Sequence, residues 1–309
     1  MIKEINITNT ETHETIVLGA RAPYALDAID WDSAAVEQTS YRVPFQIGQF
    51  LTGVQVGTRQ ISITGYVISD VSGVGKSWKK YYNECEQMIE DKKLQLDKIF
   101  SIYQDVEISV GDYSIVGRPM TSVKYSNNEE ENNEVMCLFS VAVQCFDTMF
   151  AKGKTYISMA SAVSLFHFPM ILKQTKIPFG SFEKKQSVII NNDGNVDVGF
   201  VAKIKADNGS AMNPKIYIVE TGEMLTLNGI TLDIGDIITI DTRIGNESII
   251  LHDASAVKDV SIIGKMVVGS KFFKIKRGHY TYAYGASANI DNLSVSIEFE
   301  EKYFNIRGM

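Results

Sequence analysis

The chain has 309 residues, 45% hydrophobic and 22% charged, with a formal net charge of −7. That length suits two domains of about 150 residues, each able to bury a core without metal or disulfide, and the composition excludes a disordered chain. The acidic balance argues against a surface that wraps nucleic acid, which needs excess Lys and Arg to displace counterions, but not against a negative channel through which DNA passes without sticking.

Three cysteines, Cys85, Cys137 and Cys145, form no C-x-x-C pair. The odd count argues against a disulfide framework and a zinc site. Cys137 and Cys145 are eight apart, so on one strand they share a face, and buried free thiols are expected. The opening MIKEINITNT has no apolar core, so no signal peptide is expected there. No stretch approaches the roughly 18 apolar residues of a membrane span. A reducing, aqueous compartment is expected until partners are met.

In chain order, Ile16–Leu18 and Gln60–Ile68 have the β-branched, alternating character of strands, with Ile61 and Ile63 on one face. The period then changes. Trp78, Tyr82, Cys85, Met88, Ile89 and Leu96 fall on one helical face, with Ser77 as N-cap and Lys92-Lys93 at the C-terminal end. Val106–Val110, Gly111-Asp112 and Tyr113–Val116 predict a hairpin. Val123–Tyr125 and Val135–Phe146 flank the run Asn127–Glu134, a solvated hairpin tip by its polarity and shortness. Val135, Cys137, Phe139, Val141, Val143 and Cys145 form the longest alternating face in the chain.

The boundary between domains falls near Phe150–Thr155. Phe166–Leu172 is apolar but contains Pro169, which excludes a central strand. Beyond it, short β runs punctuated by Asn-Gly, Gly-Asp and Asn-Asp-Gly predict a β-sandwich. The expected class is mainly β. Residues 1–151 form a β-fold with one amphipathic helix and a protruding hairpin, and residues 152–309 form a C-terminal sandwich.

The sharpest catalytic signal is Gly73-Val74-Gly75-Lys76-Ser77, between a strand and a helix as in a phosphate-binding loop. The first glycine of that pattern is missing: position 70 is Asp70, whose carboxylate repels phosphate. His13, His167, His252 and His279 have no partner at ligand spacing. Asp193, Asp197, Asp233, Asp236 and Asp241 sit among Asn and Gly, so turns explain them before a glycosidase carboxylate pair does. Lys271, Lys274, Lys276 and Arg277 interleave with Phe272, Phe273 and Tyr280, which suits a half-exposed strand as well as a single-stranded nucleic-acid platform. Tyr280, Tyr282 and Tyr284 share one strand face, which is core, a subunit contact or a sugar-stacking stripe. No catalytic, cofactor-binding or metal-binding residue is assigned.

Several ordered segments resemble the phage distal tail protein family, the ring-forming hubs of long-tailed phage tails. They are Asn191-Asn192-Asp193-Gly194-Asn195, then Gly235-Asp236 with Ile240-Asp241-Thr242, then Phe272-Phe273 before the Gly278 turn, and the terminal strand Val295–Phe299 running into Glu300-Glu301-Lys302-Tyr303-Phe304. In the first half, Gly53 followed by Arg59-Gln60-Ile61-Ser62-Ile63-Thr64-Gly65 resembles the family's Gly…Arg-x-Ile-x-x-x-Gly strand. Arg277 and His279 depart from the proline and asparagine expected around the last turn.

The resemblance implies a homo-hexameric ring made by residues 1–151 and an outward galectin-like sandwich made by residues 152–309. It also implies a tail tube protein, a tail-tip or tail-associated protein, and receptor-binding or baseplate proteins as partners. The chain would be synthesised in the host bacterial cytoplasm and end in the virion, with no catalytic residues, no cofactor, no specific nucleic-acid binding and no membrane span. The alternatives are a carbohydrate-binding module for cell-wall glycans, acting through the sandwich, and an enzyme acting through Gly75-Lys76-Ser77 or a carboxylate pair.

Overall fold

The computed structural model describes residues 4–33, 35–45, 47–164, 180–184 and 186–306. The chain forms two compact units. The first holds residues 1–152 and the chain from Tyr303 onward, and the second holds residues 153–302. Sequence reading put all of 152–309 in the second. The last residues return to the first because they find partners there. Tyr303 meets Tyr113 edge-on at 5.5 Å, Arg59 donates from Nη2 to the Phe304 carbonyl at 2.7 Å, and Ile306 joins the first unit's apolar core.

The first unit begins with β1 (Ile5–Asn9), β2 (Thr15–Leu18), β3 (Tyr24–Asp30), β4 (Val36–Tyr41), β5 (Phe50–Val56) and β6 (Arg59–Ile68). Helix α1 (Trp78–Ile99) follows, then β7 (Val106–Val110), β8 (Tyr113–Pro119), β9 (Lys124–Tyr125), β10 (Met136–Cys145) and β11 (Phe150–Lys152). One sheet runs in the order β2-β1-β7-β8-β10-β6-β3, with β9 on β10 and β11 on β8. Gly19, just past β2, bridges Ala25 of β3, so the sheet curls toward closure around its own core.

The longest ladder joins β6 to β10, antiparallel from Ile68 opposite Met136 to Arg59 opposite Cys145. Alternation sets its faces. Ile61, Ile63 and Val67 of β6 are buried, with Cys137, Phe139, Val141, Val143 and Cys145 of β10. Gly65 interrupts the β6 series for a steric reason: a Cβ there would lie 2.7 Å from the Ala25 carbonyl oxygen and 3.0 Å from the Phe139 ring. The cysteines are free and buried. Burial pushes the Cys145 thiol up to about 12 and raises that of Cys137.

Helix α1 buries Cys85, Ile89, Leu96 and Ile99. Ser77 occupies the N-cap position but makes no side-chain cap bond. Lys92 and Lys93 are not terminal. The helix runs on to Ile99, Lys98 takes the last turn, and Asn9 donates to the Ile99 carbonyl. The Lys92 and Lys93 ammoniums instead lie over the rings of Tyr24 and Tyr125. The run Asn127–Glu134 joins β9 to β10. Its turn is closed locally, since Asn132 donates to the Ser126 carbonyl and the Ser126 hydroxyl bonds Glu131.

The second unit starts with β12 (Thr155–Ser158), β13 (Ala160–Ser164), β14 (Gly180–Lys184), β15 (Ser187–Asn192), β16 (Phe200–Ala206), β17 (Ala211–Met212) and β18 (Lys215–Ile218). It continues with β19 (Met224–Thr226), β20 (Thr231–Leu232), β21 (Ile237–Asp241), β22 (Ser248–Asp253), β23 (Lys258–Ser261), β24 (Gly278–Gly285) and β25 (Leu293–Phe299). A six-stranded sheet, β12-β25-β16-β21-β22-β23, and a four-stranded sheet, β15-β24-β18-β19, share one apolar core that includes Phe200, Ile204, Ile216, Ile240, Tyr282 and Val295. Two layers around one core make the β-sandwich expected from the turn spacing. His167 and the Pro169 segment, Phe166–Leu172, lie outside the described residues.

Ending the chain at Lys302 is expected to destabilise the first unit by about 2–4 kcal/mol, because the buried Arg59 guanidinium loses its carbonyl acceptor and apolar cover goes with Ile306. Hydrogen exchange at β6 and β10 measures this. Unchanged protection would show that the tail is dispensable.

Candidate assembly surfaces

The residues that carry the family resemblance hold turns rather than reacting groups. Buried Asn192 donates to the carbonyls of Val196 (2.9 Å) and Ile275 (3.3 Å) and accepts from the Gly194 N–H. Glu301 accepts from the Asp193 N–H at 3.1 Å. Asp236 accepts from the N–H groups of Asp233 and Ala254, closing the loop at Gly235, whose φ of +93° suits glycine. Thr242 Oγ1 accepts from the Phe200 N–H, and Arg243 bonds both Asp241 carboxylate oxygens. Burial works against ionisation of Asp241, but hydrogen bonds from the Arg243 side chain and N–H hold its carboxyl below the usual carboxylate range.

The other candidates have equally structural places. Tyr282 and Tyr284 are buried and Tyr280 packs on the same core, so the aromatic stripe faces inward, away from any sugar. Alternation put the three on one face correctly, but that face is the one the second sheet covers. Phe273 and Ile275 are core, and Lys276 pairs with Glu223 and Asp197. Lys76 is paired with Glu84 on α1, which occupies the ammonium a phosphate would need. A shallow depression beside it is lined by polar side chains alone: Ser77, Lys79, Lys80, Asn83, Glu84 and Gln87. Among the described residues no cluster of three or more His, Cys, Asp or Glu could hold a metal ion. Among them, too, no helix is long and apolar enough to cross a membrane.

Among the described residues, the first unit exposes several large apolar side chains, and two groups of them are clustered. The first is the β4–β5 ribbon, which pairs with no other strand among the described residues. Its register puts Val36 opposite Val56, Gln38 opposite Val54 and Ser40 opposite Leu51, so one face carries an exposed aliphatic stripe. A bulge follows Thr39, and toward the tip Tyr41 stacks on Phe50 at 5.8 Å on the other face. At the tip Phe45 and Ile47 are fully exposed, Phe45 with a left-handed φ of 67°. Sequence reading missed this arm because neither face is buried, so no clean alternation marks it. The available signal was its concentration of Tyr41, Phe45 and Phe50 with only Glu37 and Arg42 as charges.

The second is the start of α1. The face that buries Cys85 and Ile89 carries Tyr82 and Trp78 in its first turns, and these are exposed, Trp78 by 77%. Trp78 stacks on Tyr82 (6.1 Å) and meets Tyr81 edge-on (6.4 Å). The helix therefore overhangs the sheet. Cys85 is the first side chain of the helix to be fully buried, and Met88 accepts from the Ser69 hydroxyl just past the end of β6.

Residues 193–303 match the family of siphovirus-type tail components, C-terminal domain. Over nearly the whole chain the fold also matches the crystal structure of SPP1 Dit, a hub of the adsorption apparatus in phages that infect Gram-positive bacteria. The TM-score is 0.62 at 10% identity, covering 96% of this chain and 98% of that one. The chain has the fold of a phage distal tail protein. A chain of the phage P2 baseplate in its activated, Ca-bound conformation shares this fold with a TM-score of 0.51 at 10% identity, over 99% of this chain and 100% of that one. No curated protein is similar to the chain by sequence.

The Asp241–Arg243 pair carries a pH dependence. A carboxyl held below its unfolded value of about 3.9 stabilises the fold above that pH and loses the contribution as pH falls through the folded value. Asp241→Asn should therefore lower stability at neutral pH and flatten the loss of stability below about pH 4. Urea titrations of wild type and variant across the acid range test it. Parallel curves would mean that the Arg243 pair contributes nothing.

Proposed function

We propose that this chain is a structural hub of a phage or phage-derived tail. Six copies form a ring that joins the tail tube to the tail-tip or baseplate and receptor-binding apparatus. The chain acts in the virion, at the tail tip, after synthesis in the host cytoplasm, and it is not an enzyme. The observation that carries this reading is the fold match to SPP1 Dit over both units, 96% of the chain. The family match over residues 193–303 adds sequence support in the second unit.

The chemistry of the chain agrees with the reading. A closed ring uses a heterologous interface, in which one patch of each copy meets a different patch of the next. The first unit exposes two separate apolar patches, and residues 1–152 are proposed as the ring-former. The sandwich, proposed as the attachment module for tail-tip partners, spends its turn-rich motifs on its own stability. The net charge of −7 suits a channel that DNA crosses without binding.

Light scattering and negative-stain imaging of the full-length chain, alone and with the tube protein of the same phage, test the reading. The expected particle is a six-fold ring of six times the 34.4 kDa chain. A monomer or dimer in both conditions would overturn it.

A further inference from the structure

We infer that the β4–β5 arm of one copy docks on the overhanging start of helix α1 of the next copy, with Phe45 and Ile47 seated against Trp78 and Tyr82. The inference rests on the ring reading and specifies its interface. It follows from placement, area and stability of the two uncovered surfaces.

Placement comes first. The arm leaves the sheet at the Arg59 end of β6, where the Gly57 N–H bonds the Ala35 carbonyl and closes its base. Helix α1 meets the sheet at the other end, where Met88 touches Ser69, just past Ile68. The Lys92 carbonyl then accepts from the hydroxyl of Tyr24, whose strand partner is Val67. The helix thus meets the body at the Ile68 end, where Cys85 is already buried, and the turns before Cys85 leave Trp78 and Tyr82 exposed. Ten residues of strand separate the two ends, about 30 Å at 3.3 Å per residue. Arm and aromatic cluster lie at opposite ends of one strand and leave each other exposed within a single copy. A donor at one end and an acceptor at the other is the head-to-tail arrangement that a closing heterologous interface requires.

Area comes second. The arm exposes eight large apolar side chains, from Val36 to Val56. At roughly 100 Å² each they total on the order of 800 Å² over both faces and the tip, about what one partner contributes to a standard stable interface when the arm is enclosed. Charge on the arm is confined to Glu37 and Arg42, which gives a polyanionic occupant little to pair with and suits an aromatic one. Trp78, Tyr81 and Tyr82 brace one another, so the acceptor rings are held in place before contact, as interface anchors are.

Stability comes third. A two-stranded ribbon packed on nothing is marginal in water. The arm makes no third-strand pairing among the described residues, so a second copy supplies the cover that its own chain does not.

Two variants and their mixture test this. Phe45→Asp with Ile47→Asp disables the arm, and Trp78→Ala with Tyr82→Ala disables the helix face. Each variant alone is expected to stay folded by circular dichroism and to remain monomeric, with or without tube protein, where the wild type forms rings. Mixed in equal amounts, one intact arm meets one intact helix face, and the mixture is expected to give one-to-one dimers and no rings, read by native mass spectrometry. A variant that still forms rings overturns the pairing but leaves the ring. A mixture that stays monomeric shows that the two surfaces do not face each other. A variant that loses its circular dichroism shows that the substituted surface supports the monomer's own fold, which also overturns its role as a free docking face. A wild type that never forms rings overturns the ring reading, and the pairing with it.

Discussion

The ten-residue ladder between β6 and β10 is the constraint on which the first unit depends. It is long enough to carry a full buried face on both strands, from Ile61 to Val67 and from Cys137 to Cys145. Because the side-chain period of a strand is two, a slip of one residue would turn that whole face to solvent. Gly65 adds a second lock, since the approach of Phe139 and of the Ala25 carbonyl permits no side chain there. The ladder also spaces everything attached to it. The arm leaves one end of β6 and the helix meets the other.

The second unit achieves its order differently. Its core is two apolar sheet faces, but its loops are fixed by polar side chains that satisfy backbone groups. Asn192, Asp236, Asp241 and Thr242 are all buried or nearly so, and each has hydrogen-bond partners on the backbone. Removing such a group strands a buried donor or acceptor, a cost of about 1–3 kcal/mol. That is a physical reason for short turn motifs to stand out in a sequence only 10% identical to the structures that share its fold. The apolar positions tolerate exchange of one hydrophobe for another, whereas a side chain bonding a particular carbonyl does not.

Part of the apolar surface of the first unit is left uncovered by its own chain. The arm exposes Phe45 and Ile47 entirely, and the helix extends past the body that buries its later turns. Contiguous apolar patches of several hundred square ångströms mark interaction sites in soluble proteins. The proposed assembly role rests on such surfaces. The lysines that the sequence offered as phosphate or nucleic-acid contacts at Lys76 and Lys276 are paired, with Glu84 and with Glu223.

The sequence by itself determined the class and much of the order: the helix from Trp78, the hairpin at Gly111-Asp112, the long alternating strand ending at Cys145, and a β-sandwich after it. Local periodicity records these because each element buries one face, and burial writes a period of two or 3.6 into the residue types. Three things only the tertiary structure decided. It sent Tyr303 and Ile306 back to the first unit, since a tail's partners are distant in sequence. It put the Tyr282 and Tyr284 rings in the core, since alternation says which residues share a face but not what covers that face. And it left Trp78 in solvent on the same helical stripe that buries Cys85. A hydrophobic stripe has the same period whether its partner is the chain's own sheet or another molecule, so only the position where the sheet ends separates the two.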